Sequence, residues 1–75
     1  MLIEWARTQE NVALVYRALY DNDDQPSHLD SALEAIDGAL EEYRKANAAF
    51  YIEKGERLRE TILAAKANTT PPASR

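Results

Sequence analysis

Apolar and aromatic residues return every three or four positions in three successive stretches of this chain, the spacing that builds one face of an α-helix. The first stretch reads Trp5, Gln9, Val12, Tyr16 and Leu19, flanked by Ala6, Ala13 and Tyr20, and predicts a helix over about residues 2–20. Asp21-Asn22-Asp23-Asp24-Gln25-Pro26 then interrupts the pattern, because Asn and Asp favour turns and a proline pushes the residue before it out of the helical region. Leu29, Leu33, Ile36, Leu40 and Tyr43, with Ala32 and Ala39 beside them, predict a second helix over about 28–46. Ser27 and Asp30 form a capping-box-like pair at its start. Gly38 lies inside this helix, at a cost of about 1 kcal/mol against alanine, which marks it as a possible close-contact point. Asn47 ends the second helix or caps the next. Tyr51, Gly55, Leu58, Ile62 and Ala65, with Glu53 and Arg57 as an i,i+4 pair, predict a third helix over about 48–67. The expected fold is therefore all-α, a three-helix antiparallel bundle formed by residues 1–67, with 68–75 as a disordered tail rich in Thr and Pro.

Size and charge narrow what such a bundle does. A chain of 75 residues buries a small core, roughly 60% of its unfolded surface for a domain of about this length. Such domains gain stability from disulfides, metals or oligomerisation. With no cysteine and one histidine, a disulfide is impossible and a zinc site is poorly supplied. Self-association, most simply as a homodimer, is the device left. The net charge of -4 and pI near 4.8 give no basic field for nucleic-acid phosphates. The apolar runs fall far short of the roughly 20 residues needed to span a bilayer, and the N-terminus lacks a secretory pattern, so a cytoplasmic protein is expected.

Slid against itself by 46 residues, the chain places Trp5 on Tyr51, Glu10 on Glu56, Val12 on Leu58 and Ala18 on Ala64. Periods of this order belong to stacked helical hairpins. Asn11-Val12-Ala13-Leu14-Val15-Tyr16 resembles the N-L-G-x-x-Y stretch in the first helix of a tetratricopeptide repeat, and Leu29 through Leu40 resembles its second-helix stretch. On that likeness Val12, Ala13 and Tyr16 take the large, small and aromatic positions, and Ala32, Ile36 and Ala39 the small, large and small ones. Trp5-Ala6-Arg7-Thr8-Gln9 with the long acidic turn is similar to a bacterial variety of the repeat with an extended loop. The resemblance spans about residues 5–65, roughly one and a half repeats of the usual ~34 residues. It departs at Arg59, where the repeat has a small residue, at Ile62, where it has an aromatic, and in lacking a proline after the second helix. Arg59 marks the third helix as a terminal cap or as packed differently from a true repeat.

The titratable residues give no catalytic pattern. His28, at the start of the second helix, has no predictable orienting partner and is expected to be exposed. Asp21, Asp23 and Asp24 invite a calcium reading, but an EF-hand loop needs glycine where Pro26 stands and glutamate where Ala32 stands. Glu53, Glu56 and Glu60 form an acidic stripe whose default is a solvated, ion-paired face. Ser27, Ser31 and Ser74 lack a histidine partner in any nucleophile motif, and no glycine-rich phosphate loop is present. The chain is expected to be no enzyme and to hold neither cofactor nor metal.

The remaining expectation is a binding surface. Tyr16 and Tyr43 are assigned to the core. Trp5, Phe50 and Tyr51 lie near helix ends and, with the off-stripe Leu2, Ile3 and Leu14, mark an apolar interface. The repeat resemblance implies a concave surface lined by Arg7, Glu10, Leu14 and Arg17 from the first helix and by Glu53, Glu56, Glu60 and Leu63 from the third. There the arginines either grip a carboxylate ligand or pair with those glutamates. The function expected is protein–protein interaction with self-association. The alternatives are a small acidic inhibitor or antitoxin-like regulator that blocks a basic site, or an enzyme whose site forms between subunits from clustered carboxylates.

Overall fold

The computed structural model describes residues 2–68, except for the side chain of Leu2; the expected tail at 69–75 and the role given to Leu2 lie outside that range. Three helices make up the fold: α1 (Leu2–Asp23), α2 (Pro26–Lys45) and α3 (Ala49–Asn68). α2 lies in the middle, packed against α1 on one side and α3 on the other, and α1 meets α3 only along a short stretch. No described helix is long and apolar enough to cross a membrane.

The helix ends differ from expectation for identifiable reasons. α1 runs through Asp21, Asn22 and Asp23, where a turn was expected. Asp21 pairs with Arg17 one turn back, and the Asp24 N–H donates to the Tyr20 carbonyl at 2.8 Å, so both residues extend the helical pattern. Asp24, at φ 57°, then ends the helix in the left-handed region that Asp and Asn tolerate better than most side chains. α2 starts at Pro26 instead of at a Ser27 cap. Gln25 is extended, as a residue before proline should be, and Pro26 at the first turn needs no partner for a missing N–H. At the other end Asn47, at φ 54°, terminates α2. The Ala48 N–H reaches the Tyr43 carbonyl at 3.0 Å and the Asn47 N–H reaches that of Arg44 at 3.1 Å, the paired bonds of a Schellman motif. Asn68, expected in the tail, is the last residue of α3.

The core is built from small side chains. Leu29, Ile36, Leu40, Tyr43 and Ile62 are its large members, and Ala6, Ala13, Ala32, Ala35, Ala39 and Ala65 complete it. Tyr16 packs against the edge of this cluster and is only partly buried. α1 therefore turns Ala6, Glu10 and Ala13 inward, and the neighbouring stripe of Trp5, Val12 and Leu19 lies outside or at the edge of the core. Alanines let the backbones of α1 and α2 approach closely, and that approach carries the larger stripe to the outside. The tight crossing of α2 with α3 falls at Gly55, where a Cβ would stand 2.8 Å from Leu40 Cδ2. At Gly38 the neighbour is the Trp5 indole, 3.4 Å from the same imaginary atom.

Candidate interaction surface

Two stripes run side by side along α1. Ala6, Glu10, Ala13, Arg17 and Tyr20 face the bundle, and one or two positions before them Trp5, Thr8, Val12, Val15 and Leu19 form an outward seam with spacings of three and four. Trp5, Val15 and Leu19 are exposed, Val15 by 57%, and Val12 is partly covered. Beside the seam a groove of about 380 Å³ opens between α1 and α2, with Trp5, Val12 and Tyr16 on one wall and Ser31, Ala35 and Gly38 on the other. The Trp5 ring lies against α2 over Gly38, where an added Cβ would stand 3.4 Å from its edge, an ordinary contact distance. Leu19 and Val12 fall on the stripe that the helical period picks out in the sequence, and Val15 does not. The signal was present in the heptad-like spacing of Trp5, Thr8, Val12, Val15 and Leu19, but it was masked by the overlapping alanine stripe.

The ligand-gripping surface expected between α1 and α3 takes another form. Glu10 is 4% exposed and accepts a 2.7 Å hydrogen bond from the Tyr43 phenol, with Lys54 Nζ at 3.8 Å from its other oxygen. A carboxylate held this way is a structural tie and offers nothing to a ligand. Burial pushes the Tyr43 phenol well above its ordinary range, and the adjoining Glu10 carboxylate raises it further. The Arg7 guanidinium lies 5.8 Å from the centroid of the Tyr51 ring, which stacks on Tyr43 at 5.2 Å, and Phe50 meets Tyr51 edge-on at 5.3 Å. Arg17 pairs with Asp21. The α3 residues that reach α1 are thus Tyr51 and Lys54, and the acidic stripe points elsewhere. Glu56 pairs with Arg44 of α2 at 2.8 Å, Glu53 pairs with Arg57 on its own helix at 3.1 Å, and Glu60 borders a charged cleft with Asp37, Arg44, Glu56 and Arg59. Arg59 donates to Asp37 at 2.6 Å, so the residue that breaks the repeat pattern serves as a rim contact between α2 and α3. Leu14, Phe50 and Leu63 remain exposed, Phe50 by 69%, scattered away from the α1 seam.

His28 is not free in solvent as expected. Its ring stacks on Tyr16 at 6.0 Å, and Nε2 lies 3.1 Å from Asp23 Oδ2, closing the α1–α2 turn. Partial desolvation raises the Asp23 carboxyl, but the Gln25 N–H and the His28 imidazole outweigh it and hold the group below its usual value. Trp5 and Tyr51, aligned by the internal slide, occupy different surroundings: one rests half-exposed over Gly38, the other is sandwiched between Tyr43, Phe50 and Arg7. No family model, characterised protein or solved structure matches the chain.

Proposed function

We propose that the protein is a small protein–protein interaction module, self-associating and working through the apolar outer face of α1. The observation that supports this is an inversion of packing. Among the described residues five large apolar side chains are fully buried, Tyr43, Leu29, Ile36, Leu40 and Ile62, while six are exposed, Trp5, Leu14, Val15, Leu19, Phe50 and Leu63. Three of those six lie on one seam. Single exposed apolar residues are ordinary, but a continuous strip of them marks an interaction site. In this reading α1 and α2 act as a tetratricopeptide-like hairpin with α3 as its capping helix, and the protein resides in the cytoplasm.

The acidic-inhibitor reading draws less support, because several acids along α2 and α3, two of the stripe's three among them, are answered within the chain: Asp37 by Arg59, Glu56 by Arg44, Glu53 by Arg57 and Asp30 by Lys66. Co-precipitation from the native host separates the two. Partners retained by the wild-type chain in raised salt and lost with Val15→Glu are expected. A partner released by salt, or by reversing Glu53, Glu56 and Glu60 while tolerating Val15→Glu, would instead establish the charge mimic.

A further inference from the structure

We infer that the occupant of the α1 seam is the α1 seam of a second copy of this chain, in a two-fold homodimer. This rests on the reading of that face as an interaction surface and names what covers it.

The first argument is the balance of burial. Among the described residues six of the eleven buried apolar side chains of the core are alanine, and Trp5, Val15 and Leu19 lie outside on one helix. A chain this small gains little from such a core alone. A partner that comes and goes would leave this face in water for part of the time. A second copy is present whenever the first is, and its arrival supplies the large-residue layer that the alanine core lacks.

The second argument is charge. The chain carries 13 acidic against 9 basic side chains, so two copies repel across most orientations. Between Glu4 and Asp21 the outward side of α1 is free of charge, although 29% of the chain is charged. Glu10 is turned inward to Tyr43, Arg7 lies over Tyr51, and Arg17 is held by Asp21. What faces out is Thr8, Asn11, Val12, Val15, Tyr16 and Leu19. Like-charged copies meet there without repulsion, whereas a basic partner helix finds only Glu4 at the seam's end and Glu34 at the margin of the groove.

The third argument is shape. Spacings of three and four from Trp5 to Leu19 present the knobs of a two-helix seam, about 21 Å long at 1.5 Å per residue. An identical helix carries the identical spacing, and an isologous two-fold contact uses the same patch twice. Val12 and Val15 stand at the middle of the seam, so a two-fold axis through it passes beside them.

The sequence supplies clean probes, because the full chain has no cysteine and a single tryptophan, Trp5, on this face. The expected results are a dimer by sedimentation, a Trp5 emission shift to the blue with concentration over the same range, and an oxidative cross-link through Val15→Cys but not through Leu63→Cys. Val15→Glu should weaken the dimer at least about a hundredfold, since both copies then carry a charge at the axis. Val15 is exposed in the single chain, so unchanged helicity in that variant shows that the monomer stays folded. A chain monomeric at all concentrations, or a dimer broken by Phe50→Glu and indifferent to Val15→Glu, overturns the inference. If the monomer still binds a host protein that Val15→Glu releases, the interaction reading stands and the second copy alone falls.

Discussion

The phenol of Tyr43 on α2 donates to the carboxylate of Glu10 on α1 at 2.7 Å, and Lys54 of α3 stands 3.8 Å from the other carboxylate oxygen, so one buried acid ties the three helices together. Removing the phenol leaves Glu10 buried with only the distant ammonium. Tyr43→Phe is therefore expected to lower stability by about 1–3 kcal/mol, the cost of an unsatisfied buried polar group. Glu10→Gln retains an acceptor for the phenol and should cost less. Urea unfolding of both single variants and the double variant measures the coupling directly. A Tyr43→Phe variant as stable as the wild type would show that the bond contributes nothing.

The same pair sets the behaviour at high pH. Burial, then the neighbouring Glu10 carboxylate, raises the Tyr43 phenol in the folded chain. The neutral phenol is thus favoured by folding. Its contribution is complete below the unfolded tyrosine value of about 10 and is lost as pH climbs from there toward the folded value. Thermal midpoints should fall through that alkaline window, and the fall should be shallower in Tyr43→Phe. Phenolate absorbance should show one tyrosine that ionises only as the chain unfolds. Four tyrosines ionising together, with the helices intact, would contradict this.

The two glycines of the chain are expected to respond oppositely to alanine. At Gly38 the new methyl group meets only the half-exposed Trp5 ring, at 3.4 Å, which can give way. The helix-propensity gain, up to about 1 kcal/mol, should then survive as added stability. At Gly55 the methyl group lands 2.8 Å from Leu40 Cδ2, with Ile36 Cδ1 at 3.6 Å behind, and Leu40 is fully buried. Overpacking there costs about 1–3 kcal/mol and outweighs the propensity gain. Denaturant midpoints decide it, and two shifts of the same sign would refute the packing account.

Helix number and order were legible in the sequence because Leu29, Ile36, Leu40, Tyr43 and Ile62 keep the helical period and are buried as expected. The rotation of α1 was less so. Its largest residues form one stripe and its alanines another, and size alone does not say which is turned inward; closeness of approach puts Ala6 and Ala13 there. Local rules also failed at the two turns. Ser27 is a better cap than Gln25 in isolation, but Pro26 fixes where α2 begins. The burial of Glu10 had no local signature at all, since it depends on Tyr43, 33 residues away. The candidate surface was legible only in part: Trp5 is exposed as expected, while Val15 stands out only once the rotation of α1 is known.

α3 is held by different forces from the α1–α2 hairpin, and that difference is measurable. It buries only Gly55, Ile62 and Ala65 fully, and its rim is tied to α2 by Arg59 to Asp37 at 2.6 Å, Glu56 to Arg44 at 2.8 Å and Lys66 to Asp30 at 2.6 Å. Exposed pairs of this kind contribute roughly 0.2–1 kcal/mol each and are screened by salt. With so few fully buried contacts, α3 should open below the global unfolding free energy, as a separate unit. Amide exchange of α3 is expected to be faster than that of α2, and molar salt, where the Debye length falls to about 3 Å, should widen the gap. Ile62→Ala, which removes the one large fully buried side chain of α3, should widen it further by about 2–5 kcal/mol. Equal protection in both helices, insensitive to salt, would mean that the bundle unfolds as one piece and that Gly55 and Ile62 alone hold α3 in place.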